Sequence, residues 1–145
     1  MERHEVLSFL KAEMSFLEEG GYRHSPRTPW KAPLMFEDSP TCLNFEQPNH
    51  PNPCANCGLM RFVPLRRHSA RVPCRYIPLN QAGETVDGLY RYASQEELED
   101  TVRAWLRRTI QKLDAEQARD ESLKRNCELT FGVLPPGNGK TKLSD

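Results

Sequence analysis

The chain has no net charge. Twenty Lys and Arg balance twenty Asp and Glu among 145 residues, which removes any global attraction to a polyanion. It has no apolar run near the ~18 residues that a membrane-spanning helix needs. Apolar residues reach only 37%, against the usual ~45–50%, and the mean hydropathy is −0.72. Met1-Glu2-Arg3-His4-Glu5 is not followed by an uninterrupted apolar stretch and small residues, so no secretory signal is expected. A reducing, cytoplasmic setting follows as the expectation. An even set of cysteines is also lacking. The five are Cys42, Cys54, Cys57, Cys74 and Cys127, which argues against a complete disulfide framework and for metal binding by close-set thiols. No H-E-x-x-H, Ser/His/Asp order or activated carboxylate pair stands out. Gly139-Lys140-Thr141 resembles the end of a phosphate-binding loop, but Leu134 stands where that loop needs glycine. No internal repeat is found.

Prolines are plentiful. Ten of the twelve lie between Pro26 and Pro78, which argues against a compact helical bundle. The expectation is an α+β fold. In it, an N-terminal helix and a long C-terminal helix bracket a Pro-rich, β-hairpin-containing loop that binds metal through four cysteines. Residues 1–134 form one small domain, and 135–145 a flexible tail. Val6, Leu7, Leu10, Met14 and Leu17 recur at helical steps with Glu5, Lys11, Glu13 and Glu18 between them. This predicts a core helix over 3–19, stopped by Gly20-Gly21. An extended metal loop follows over 22–79, tied down by Trp30, Leu34, Met35 and Phe36. Short strands are expected at 59–63, 73–79 and 85–92, the last two forming a hairpin over 73–92 around Asn80–Glu84. Ser94 and Glu97 form a capping box that opens a helix over 94–118. That helix should fray at Asp120-Glu121, and a last strand is expected over 127–134.

Cys54-Ala55-Asn56-Cys57-Gly58 places two thiols three positions apart, so both can reach one ion while the turn aims N–H groups at the sulfurs. The glycine permits a tight or left-handed turn. With Cys42 upstream and Cys74 downstream, the pattern is C-x11-C-x2-C-x16-C, enough for a closed tetrahedral site of Cys42, Cys54, Cys57 and Cys74. The knuckle resembles those of zinc ribbons and rubredoxins, over Cys54–Gly58 only. The resemblance implies one tetrahedral ion. Zinc is the expected cofactor, with an iron–sulfur cluster on the same four thiols as the alternative. His50 or His68 could replace a ligand. Cys127 reads as a small buried hydrophobe. A site closed by four thiolates leaves no open position for substrate, so the reading points away from catalysis.

From Gly58 to Gly83 there are five arginines, Arg61, Arg66, Arg67, Arg71 and Arg75, and no acid; Arg23, Arg27 and Lys31 add to this basic character. The arginines pair with the acidic helix start Glu96–Asp100, remain solvated, or meet a partner. The leading expectation is an accessory or adaptor protein with a protein partner, contacted through Trp30, Phe36, Arg66 and Arg67. The alternative is a zinc-ribbon-like nucleic-acid binder using the Arg61–Arg75 loop, with Tyr76 or Phe62 free for stacking.

Overall fold

Arg3–Glu18 forms the first helix, α1. Its start is closed by a reciprocal capping box, in which the Glu2 N–H donates to Glu5 Oε2 at 2.8 Å. Its end is the glycine stop expected from sequence. Gly20 takes φ +82°, its N–H donates to the Leu17 carbonyl at 3.1 Å, and the Gly21 N–H donates to the Phe16 carbonyl at 2.8 Å. This pair of bonds requires a left-handed residue, which glycine adopts without a Cβ clash. Val6, Leu7, Leu10 and Leu17 are buried.

The computed structural model describes residues 1–23, 26–27, 29–30 and 33–132, with side chains through Leu129. Lys31 and the expected tail at 135–145 lie outside the described residues. Two further helices follow, α2 at Val86–Tyr92 and α3 at Gln95–Gly132. Between α1 and α2 the chain forms turns and four three-ten segments, at Cys54–Asn56, Gly58–Phe62, Leu65–Arg67 and Pro73–Tyr76. No helix among the described residues is long and apolar enough to cross a membrane.

The α+β expectation is overturned, because the described residues contain no β-strand and therefore no hairpin. Each expected strand fails for a local reason. Residues 59–63 lie within or next to the three-ten turn Gly58–Phe62, closed by the Met60 N–H on the Cys57 carbonyl at 3.1 Å. Pro73 stands at the start of another such turn, a position that suits its fixed φ and missing N–H. The Asn80–Gly83 turn does close, with Gly83 at φ +76° and the Leu79 N–H on the Glu84 carbonyl at 2.8 Å. The ladder stops there: Pro78 has no N–H to donate, and Thr85 caps a helix instead of continuing a strand. The Thr85 hydroxyl accepts from the Gly88 N–H at 3.1 Å. The last expected strand, 127–134, is helical through Gly132.

The capping box of α3 is as expected: the Glu97 N–H donates to Ser94 Oγ at 3.1 Å, and the Ser94 N–H to Glu97 Oε1 at 2.8 Å. The helix does not fray at Asp120-Glu121. No proline or glycine interrupts the run until Gly132, and Asp120/Lys124 and Glu121/Arg125 stand at the favourable i,i+4 spacing. The chain divides into two compact units, Met1–Gln111 and a second that begins at Lys112. In the first, α1 packs on the Gly58–Phe62 turn, that turn packs on Pro73–Tyr76, and Pro73–Tyr76 packs on α2. Leu98, Val102, Trp105 and Leu106 of α3 complete its buried set with Val86, Leu89, Ile77 and Leu79.

Candidate metal centre

Three clamps carry Cys42, Cys54, Cys57 and Cys74 toward one another. The first is an asparagine pair. Buried Asn44 accepts from the Asn52 N–H at 2.9 Å and donates to the Asn52 carbonyl at 2.9 Å, while Asn52 Nδ2 donates to the Leu43 carbonyl at 2.9 Å. These bonds tie the chain just after Cys42 to the chain just before Cys54. The second is Arg75, whose Nε and second guanidinium nitrogen donate to Glu37 at 2.7 and 3.1 Å. This fork sets the residue after Cys74 against the segment that leads into Cys42. The third is the packing of Gly58–Phe62 on Pro73–Tyr76, which brings the strand of chain after Cys57 to Cys74.

A fourth set of bonds fixes the approach to Cys42 from the other side. Glu13 of α1 is 0% exposed. Its Oε1 accepts from Ser39 Oγ and Thr41 Oγ1, each at 2.7 Å, and its Oε2 accepts from the Tyr22 hydroxyl. The Tyr22 oxygen in turn accepts from the Phe36 N–H at 3.0 Å. Phe36 has φ +66°, a strained value for a bulky residue, and the Glu37 N–H closes a tight turn onto the Met35 carbonyl at 2.8 Å. Burial, then the Glu13 charge, drives the Tyr22 phenol far above its ordinary range.

The four cysteines line one cavity of about 40 Å³, together with Phe9, Leu59 and Val63. All four are free thiols, and none forms a disulfide. Backbone donors address two of the sulfurs: the Asn44 N–H reaches Cys42 Sγ at 3.4 Å, and the Leu59 N–H bonds to Cys57. In both cases the donor lies two residues after the cysteine. Burial pushes all four thiols above their ordinary range. At Cys42 and Cys57 these N–H bonds partly offset it; Cys54 also feels Glu37, and Cys74, the most strongly raised, feels Glu37 and the other three sulfurs. Desolvated thiols beside carboxylates keep their protons; a divalent cation would reverse that balance by supplying the missing positive charge. Among the described residues, no group of three or more His, Cys, Asp or Glu is placed so that it could hold a metal ion.

Comparison with protein families, curated proteins and solved structures finds no match. The site stands on its own geometry.

Several expectations are revised by position. Gly58 takes no positive φ; it opens the tight three-ten turn Gly58–Phe62, and a Cβ there would lie 2.7 Å from Sδ of Met1, an exposed side chain that can move aside. Neither histidine lines the cavity. His68 Nε2 is engaged with the Val63 carbonyl at 2.8 Å, and exposed His50 faces outer grooves. Cys127, expected to be buried, is exposed on α3. Of the expected partner contacts, Trp30 is 79% exposed and Arg66 and Arg67 are exposed, but Phe36 is 2% exposed, with its ring 6.1 Å from that of Trp105. Phe36 is therefore a core residue. Glu13 was placed between apolar positions, yet it lies on the buried side. Leu10, Glu13 and Leu17 follow three- and four-residue steps, a signal that could have found it.

Proposed function

We propose that this chain is a non-catalytic zinc-binding accessory or adaptor protein. Cys42, Cys54, Cys57 and Cys74 would hold one structural ion that fixes a surface for a protein partner. The observation that supports the reading is that four free thiols, from three separated stretches of chain, line a single small cavity. Four thiolates complete a tetrahedral shell, which leaves no position for water or substrate and suits a structural role. The Cys54–Gly58 knuckle, which resembles those that hold one tetrahedral ion, favours zinc over the iron–sulfur alternative. A reducing, cytoplasmic setting suits thiols kept free for metal. Elemental analysis of purified protein, read with its visible spectrum, tests the proposal. One zinc per chain in a colourless sample is expected. Iron and sulfide with a visible band that bleaches on reduction would replace zinc by a cluster, and a chain without bound metal would remove the reading.

A further inference from the structure

Four of the five arginines between Gly58 and Gly83 are not absorbed by the protein's own acids. Asp100 pairs with Arg103 at 2.6 Å, Glu97 is taken by the Ser94 N–H, and Glu99 accepts from Gln95 at 2.9 Å. Among the described residues, no carboxylate pairs with Arg61, Arg66, Arg67 or Arg71. Arg75 is neutralised by Glu37.

Arg67 covers one aromatic ring, and Arg71 lines the groove beside it. The Arg67 guanidinium carbon lies 4.4 Å from the centroid of Tyr76. Tyr76 and Arg71 line a groove of about 310 Å³ with half-buried Leu34 and Val72, exposed His50 and the mutually neutralised Arg75–Glu37 pair. The turn that carries Arg67 is anchored by its own N–H on the Pro64 carbonyl at 2.9 Å and by the His68 ring on Val63. At the start of the same turn, Leu65 is 85% exposed. The surface thus combines guanidinium groups that no carboxylate neutralises with apolar side chains.

That combination separates two kinds of polyanion. Single-stranded nucleic acid binds through free aromatic faces as well as positive charge. Here Tyr76 is already covered by Arg67, and Phe62 packs edge-on against Trp105 at 5.3 Å. A protein segment instead supplies carboxylates for the forked guanidinium groups and aliphatic side chains for the apolar positions.

Resting on the adaptor reading above, we propose that the groove beside Tyr76 docks an acidic segment of a partner protein, its carboxylates on Arg67 and Arg71 and its aliphatic side chains against Leu34 and Val72. Fluorescence anisotropy tests this with the full chain and a labelled decapeptide alternating Glu or Asp with Leu. A labelled oligothymidine is the competitor class. The peptide should bind, should weaken as salt rises, and should bind about tenfold more weakly to the Arg67→Ala/Arg71→Ala double variant. Both arginines are exposed, so circular dichroism of that variant should match the parent. No peptide binding up to about 1 mM, equal binding by the variant, or tighter binding of the oligonucleotide would each overturn the proposal. Zinc measured in the same samples separates the two readings. Bound zinc without peptide binding ends the docking proposal alone, and peptide binding without metal ends the zinc reading alone.

Discussion

Replacing Glu13 by alanine should cost about 3 kcal/mol of stability, because it strands hydroxyl donors inside the fold. The carboxylate receives Tyr22, Ser39 and Thr41. Once it is gone, Ser39 and Thr41 can still bond each other across 2.9 Å, so the loss is two orphaned donors rather than three. Each buried donor left unsatisfied costs about 1–3 kcal/mol, and relief of the carboxylate's own desolvation offsets part of that. Glu13→Gln keeps an acceptor for Ser39 and Thr41 but turns a donor toward the Tyr22 hydroxyl, so its cost should fall to about 1–2 kcal/mol. Urea unfolding of protein purified with its metal content held constant measures both. The midpoint should fall in the order parent, Gln, Ala, with the slope unchanged. An alanine variant within about 1 kcal/mol of the parent would refute the claim that this network holds the approach to Cys42.

Three other outcomes follow from the same geometry. Cys54→Ser should release the metal and unfold Cys42–Leu79 by circular dichroism, whereas exposed Cys127→Ser should leave metal content unchanged; one metal equivalent retained by both would break the ligand assignment. Asn44→Ala should cost about 1–3 kcal/mol and abolish hydrogen-exchange protection of the Asn52 amide; retained protection would show that the clamp is not needed. Tyr90 is pushed up to about 12 from 10.0, mainly by burial, and Tyr22 is raised further. The folded protein then holds phenol protons that the unfolded chain releases, so stability is retained below pH 10 and falls as pH rises from about 10 toward 12. Ultraviolet tyrosinate absorbance should lag in the folded sample; coincident titration of folded and unfolded chains would contradict this.

The two long helices could be read from the sequence because their signals are local: a three-to-four-residue apolar period in α1, a Gly-Gly stop, and a Ser94/Glu97 box in α3. The hairpin was misread because alternating apolar residues near a glycine turn look like strands, while the decisive features are small. Pro78 removes a ladder donor, and the Thr85 hydroxyl caps a helix. The grouping of the cysteines was suggested by the C-x-x-C spacing. What brings them together was not visible. Asn44 meets Asn52 across an eight-residue separation and Glu37 meets Arg75 across thirty-eight, and such residue types occur throughout polar loops. Phe36 looked like a surface anchor because a proline-rich stretch gives no period from which to judge a side chain's direction.

Counting reactive thiols before and after chelation tests the central claim most directly. Native protein treated with a thiol reagent should show one fast cysteine, Cys127, and all five once a strong chelator has removed the ion. Five thiols reacting alike in the native protein, with no change on chelation, would contradict a metal held by Cys42, Cys54, Cys57 and Cys74.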